Sequence, residues 1–146
     1  MKREPIQLTV YRRNDRMVVV PAALANTGFR SLHDVIDVDA PNDLVQALEA
    51  GEKLAEAAAA LPKAERFPAR TPYWEVLGCD DYDDFVKGTT AVTIVRRDQH
   101  TRVGFMAPTS DNTGFIGTKD PELFGPDTSL SEIAKRALQL LDEHRA

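Results

Sequence analysis

The chain opens on an alternation. Ile6-Gln7-Leu8-Thr9-Val10 places apolar side chains at every second position, the period of a half-buried strand. Asn14-Asp15 supplies turn chemistry. The run Met17 to Val20 predicts the returning strand of a hairpin. Pro21 is expected to end that strand, because proline has no N–H for a ladder. Gly28-Phe29 and Val35 to Val38 predict two shorter strands. The period then changes. Leu44, Ala47, Leu48, Ala55 and Ala58 recur at helical spacing behind Asn42 or Asp43, either of which suits an N-cap. Ala57 to Ala60 add helix propensity.

Leu61 to Pro72 holds Pro62, Pro68 and Pro72 and no periodicity, which predicts a linker and the place most open to motion. Trp74 to Leu77 re-enters the globule, and "CDDYDDFVKG" predicts a short helix with Tyr82, Phe85 and Val86 on one side. A second series of strands follows: Ala91 to Val95, a turn at Asp98 to Thr101, Arg102 to Met106, then Gly114-Phe115-Ile116. The last element is a helix. Ser129-Leu130-Ser131-Glu132 forms a capping box, and Leu130, Ile133, Ala134, Ala137, Leu138 and Leu141 form its apolar stripe.

The two series share more than element types. "NTGF" occurs at Asn26 to Phe29 and again at Asn112 to Phe115. Arg12-Arg13 and Arg96-Arg97 precede it, Pro21 and Pro108 fall between, and Leu44 and Leu130 open the helices, all at a nearly constant offset of about 86 residues. The pattern predicts an internal duplication. The expected fold is α+β: two pseudo-symmetric repeats, each an antiparallel sheet plus a helix, with halves at about 5–61 and 89–146 joined by a linker at 62–88 in a single domain. Each helix has one apolar face and needs a sheet to cover it.

Composition narrows the function. An apolar fraction of 42% and a charged fraction of 28% are those of a globular protein long enough for a real core. No stretch approaches the roughly 20 apolar residues that span a bilayer. No apolar leader precedes the first strand, and the one cysteine, Cys79, cannot form an intrachain disulfide. A cytoplasmic location is the expectation. Residues 1–73 carry ten cationic and ten anionic side chains, whereas 74–146 carry eight and thirteen. An acidic half repels nucleic acid and attracts basic partners.

Catalytic chemistry finds little foothold. His33, His100 and His144 lie far apart, none with a second ligand at metal spacing. The sequence holds no G-x-S-x-G elbow, P-loop or G-x-G-x-x-G. Cys79 has no histidine near it in sequence and reads as structural. The expectation is a protein without enzymatic activity or cofactor. Three readings compete for the acidic segment Asp80, Asp81, Tyr82, Asp83 and Asp84. It matches no calcium loop, so a divalent-metal site is the weakest. The segment also suits a solvated helix start, where aspartate favours the positive end of the dipole. The third reading is a docking patch for a basic protein, with Tyr82 as its aromatic anchor. The arginine pairs suit either phosphate tracking or edge-strand protection, and the acidic balance favours the latter.

From Trp74 onward, "WEVLGCDDYDDFVKG", a hairpin ending in Ala107-Pro108, "NTGF" and "TSLSEIAKRALQLLDEH" together resemble the CdiI immunity proteins of bacterial contact-dependent growth inhibition systems, over about residues 74–145. The features carrying the resemblance are Trp74, the Tyr82-x-x-Phe85 segment before a strand, Pro108 closing the second strand, and the capped final helix. Family members have a serine where this chain has Asp81, a departure from one subgroup. The resemblance implies a cytoplasmic inhibitor that binds the C-terminal domain of a cognate toxin, commonly a basic nuclease, and blocks it by occlusion. Contact residues do not transfer, because each immunity protein matches its own toxin. Asp80, Asp81, Tyr82, Asp83 and Asp84 are therefore chosen on chemistry as the toxin-binding residues. The duplicated plan also looks like the Whirly fold of single-stranded DNA-binding proteins, and nucleic-acid binding is the alternative function.

Overall fold

The hairpin written into the first 25 residues forms as two long strands, β1 (Ile6–Arg13) and β2 (Arg16–Ala25). Asn14 takes the left-handed conformation in the two-residue turn between them, at φ 55°, a region that asparagine tolerates better than most residues. The computed structural model describes residues 4–32, 34–67, 72–111, 114–117 and 120–143. Further along are β3 (Gly28–Ser31), β4 (Ile36–Val38) and α1 (Leu44–Ala59). Two short helices follow, α2 (Tyr73–Val76) and α3 (Tyr82–Val86). The remaining elements are β5 (Thr89–Arg96), β6 (Thr101–Pro108), β7 (Phe115–Gly117), β8 (Glu122–Phe124) and α4 (Leu130–Glu143).

The class is α+β. The eight strands form one antiparallel sheet and not two, in the order β3-β2-β1-β5-β6-β7. β1 and β5 join at its centre, Thr9 opposite Thr93 and Leu8 opposite Ile94. β2 carries both β3 and β4 on its outer side, and β6 carries both β7 and β8. A single sheet leaves no exposed edge on β1 or β5, where an unpaired row of backbone groups would invite aggregation.

Pro21 does not end β2, which runs four residues beyond it. Leu32 N donates to Pro21 O at 2.9 Å, so the backbone of Pro21 faces outward. There β2 passes from pairing β4, through Met17 to Val19, to pairing β3, from Ala22 onward. The missing N–H therefore points to the outer side, just past the end of β3, and takes nothing from the β1–β2 ladder. The first "NTGF" is the β2–β3 hairpin: Ala25 pairs Gly28, whose φ of +122° suits glycine. In the second, Asn112 and Thr113 lie outside the described residues. Thr109 N donates to Gly114 O at 2.9 Å, and Phe115 pairs Pro108.

Period two sorts the sheet into faces. Leu8, Val10, Met17, Val19, Val92, Ile94, Val103 and Phe105 face α1 and α4, forming the main core with Leu44, Leu48, Ile133 and Leu141. Each large aliphatic side chain buried there stabilises the fold by about 1.5–3 kcal/mol. α1 approaches closely at Gly51, where an added Cβ would lie 3.1 Å from Leu8 Cδ2 and 3.2 Å from Val19 Cγ1. Asp43 precedes α1 but makes no side-chain cap bond, because Pro41–Asp43 winds as a 3-10 turn instead. In α4 the cap forms: Glu132 N donates to Ser129 Oγ at 3.2 Å. Leu140 is buried with the expected stripe, while Leu130 and Leu138 pack at its margin.

The opposite face carries a second, smaller core. Tyr11, Val18, Val20 and Ala91 from the sheet meet Tyr73, Cys79, Phe85 and Val86. Residues 72–88, expected to belong to a linker, thus supply half of that core. Their apolar side chains cover one end of the sheet's second face and leave the rest open.

Candidate docking face around the acidic helix

The predicted acidic segment is the N-terminal turn of α3. Asp81 is the N-cap, its Oδ1 accepting from Asp84 N at 2.7 Å. Asp80 N donates back to Asp84 Oδ2 at 3.4 Å. Asp83 and Asp84 stand in the first turn, where the helix dipole favours negative charge. Asp80, Asp81 and Asp83 are all exposed, but the Asp81 and Asp84 carboxylates are engaged in bonds to the helix itself. Tyr82 is half-buried, edge-on to Trp74 at 5.3 Å between ring centroids.

Two anchors fix α3 to the sheet. Phe85 is wholly buried among aromatic rings, 5.0 Å from Tyr11, 5.4 Å from Tyr73 and 5.8 Å from Phe115. Arg13 reaches across from β1: Nη1 donates to the carbonyls of Asp84 at 2.9 Å and Phe85 at 3.0 Å, and Nη2 meets Asp84 Oδ1 at 3.4 Å. Thr89 Oγ1 also donates to Phe85 O, at 2.6 Å. Bonds to the last carbonyls of a helix satisfy groups that have no partner within it.

The arginine pairs do not guard edges, because β1 and β5 lie at the centre of the sheet. Within each pair the two side chains leave on opposite faces. Arg12 crosses to α4, donating to the Leu141 carbonyl and, at 2.9 Å, to Asp142 Oδ1. Arg96 crosses to α1, with Nε 3.0 Å from Glu52 Oε2. The first series of strands thus holds the second helix, and the second series holds the first. Arg13 and Arg97 take the other face. Only the sequence period hinted at this division; the partners lie about 44 to 130 residues away and were not legible.

Reactive groups are held in quiet states. Burial pushes the Cys79 thiol up, and the nearby aspartates add to that against the opposing pull of Arg13. Burial likewise raises Tyr11, Tyr73 and Tyr82, Asp83 adding to the last. Tyr11 and Tyr73 share a hydrogen bond at 3.3 Å between their hydroxyls. His100 sits in the β5–β6 turn with its carbonyl accepting from Arg97 N, while His33 and His144 lie outside the described residues. Among the described residues no three His, Cys, Asp or Glu side chains converge to hold a metal ion. No helix among them is long and apolar enough to cross a membrane.

Beside α3, on the open part of the sheet, lies a concave cavity of about 610 Å³ whose lining includes Thr9, Thr93, Phe29, Phe115 and Tyr82. The repeated word thus places both of its phenylalanines on one cavity.

No protein-family model matches the chain, and no curated protein does. Solved structures share its fold. A protein of unknown function from Neisseria meningitidis aligns with a TM-score of 0.64 at 12% identity, over 99% of this chain and 98% of the other. A chain of the CdiA-CT/CdiI toxin and immunity complex from Yersinia pseudotuberculosis aligns with a TM-score of 0.60 at 13% identity, over 96% and 99%. At these identities the likeness establishes a fold shared from end to end.

Proposed function

We propose that this chain is an immunity protein: it binds the C-terminal domain of a cognate contact-dependent inhibition toxin in the cytoplasm and blocks it by occlusion, without catalysis. The observation that carries this reading is the end-to-end fold likeness to a chain of a toxin and immunity complex.

The docking face we favour is the outer surface of α3. Asp80 and Asp83 supply exposed negative charge on an element that Phe85 and Arg13 hold rigid, and Tyr82 supplies an aromatic anchor at their side. Asp81 and Asp84 hold the segment in shape. Such a surface suits a basic partner, as a nuclease is, because its substrate is anionic. Charge complementarity speeds encounter more than it deepens affinity. In the same reading the halves at about 5–61 and 89–146 are copies of one unit in a Whirly-like plan. The equivalent pairing of β3 and β4 on β2, and of β7 and β8 on β6, supports that view.

The test is co-expression with the tagged toxin domain encoded beside this chain, followed by affinity capture and light scattering. The expected result is a one-to-one complex burying about 1,200–2,000 Å² in total. Failure of the two to co-purify overturns the reading.

A further inference from the structure

The open-face cavity carries a feature that toxin docking does not use. Among the described residues, Arg12, Arg13, Arg16, Arg66, Arg96 and Arg136 each meet a carboxylate, and Arg30 stacks on Phe67. Arg97 and Arg102 have no such partner among those residues, although the chain has an excess of acid. Both line this cavity, and Arg97 also borders a second concavity that holds Glu4, Glu52, Glu56 and Asp98. The register explains their meeting: Arg102 pairs Val95, and Arg97 lies two residues beyond Val95 on the same face. Arg97 follows the last residue of β5 and Arg102 is the second residue of β6, so both stand at the end of the cavity by the β5–β6 turn.

The remainder of the lining has a different chemistry. Phe29 from β3, Phe115 from β7 and Tyr82 from α3 bring rings to the cavity, and Gln7 and Thr93 offer neutral hydrogen-bonding groups. Gly104, opposite Thr93, adds no side chain to the floor, and Pro121 packs over it. A volume of about 610 Å³ lies in the range of small-molecule sites, about 300–1,000 Å³.

We infer that this cavity is a binding site for a mononucleotide, with the phosphate on Arg97 and Arg102 and the base against the aromatic side chains. Two convergent guanidinium forks favour phosphate over carboxylate. One fork saturates both oxygens of a carboxylate, whereas a terminal phosphate has three. Phe115 and Tyr82, farther along the same cavity in the cluster around Tyr11, offer aromatic faces that suit a planar base. The net charge of −5 opposes a long polyanion, which would run onto the acidic surface. A single phosphate interacts chiefly with charges within a Debye length of about 8–10 Å. The inference rests on the cavity alone and stands whether or not a toxin binds α3.

The test is titration of the full chain, by calorimetry and by backbone amide NMR, with adenosine monophosphate, adenosine, inorganic phosphate and a short single-stranded DNA. The expected result is saturable binding of adenosine monophosphate at least tenfold tighter than adenosine or phosphate, with shifts at Phe29, Arg97, Arg102 and Phe115. Arg97→Gln and Arg102→Gln should each weaken it about tenfold or more. Arg16→Gln, which alters an arginine at the β1–β2 turn that pairs with Asp37, should leave it unchanged. Both cavity arginines are exposed, so the variants should fold, and thermal melts check this. No saturable binding at millimolar nucleotide, equal affinity for adenosine, or unchanged affinity in the glutamine variants overturns the inference. Tighter binding of the DNA strand with a steep salt dependence overturns the mononucleotide assignment in favour of a polymer.

Discussion

Arg13 on the first strand holds Asp84 twice, by its backbone carbonyl at 2.9 Å and by its carboxylate at 3.4 Å. That grip divides the acidic segment into residues that build the helix and residues that face outward. It also makes α3 dependent on a side chain 71 positions earlier. Replacing Arg13 with methionine keeps the aliphatic stem and removes every one of these bonds. Stability should fall by about 2 kcal/mol, the scale of lost charge-assisted hydrogen bonds. Urea denaturation measures the loss, and amide exchange should quicken first across Tyr82–Val86.

The outward pair answers differently. Asp80→Lys with Asp83→Lys leaves the cap at Asp81 and the bridge at Asp84 intact, so the melting temperature should shift little. Association with the toxin domain should slow by about tenfold at low salt and lose much of its salt dependence. Stopped-flow mixing at two ionic strengths reads both effects. Unchanged rates would move the docking face away from α3.

Phe85 tests the second core. It is wholly buried and central to the aromatic cluster, so Phe85→Ala should cost about 3–5 kcal/mol. Gly51 tests the first. A leucine there would drive into Leu8 and Val19, and should cost about 1–3 kcal/mol despite its better helix propensity. Equilibrium unfolding of both variants checks the pair.

All three tyrosines, Tyr11, Tyr73 and Tyr82, have their ionisation raised, burial being the largest cause in each. In the unfolded chain they ionise near the ordinary value of 10.0. The folded state therefore retains phenolic protons that the unfolded state gives up. Stability should hold below pH 10 and fall as pH rises above it. Absorbance at 295 nm should show well under half-ionisation at pH 10 in the folded protein and rise further as unfolding sets in. Half-ionisation at pH 10 without unfolding would contradict the burial of these rings.

The longer strands and the two long helices were legible because their apolar periods are unbroken, and the α3 helix because Tyr82, Phe85 and Val86 share a face. The short strand β8, between Pro121 and Pro126, was not, and neither were three larger features. The continuation of β2 through Pro21 depends on which neighbour lies outside it, β4 or β3, and that is a tertiary fact. The joining of both halves into one sheet depends on β1 pairing β5, which no local pattern encodes. The work of the arginine pairs was misread because the sequence shows two like charges side by side, while the sheet sends them to opposite faces. Within the acidic segment, composition marked all five residues, and only the cap geometry separates Asp80 and Asp83 from Asp81 and Asp84.

The account turns on one claim, that this protein protects by binding. The direct measurement is growth of cells producing the neighbouring toxin domain inside the cytoplasm, with and without this chain. The account predicts that growth stops without it and recovers with it, and that Asp80→Lys with Asp83→Lys weakens the recovery. Cells that stop growing equally in its presence would contradict the account.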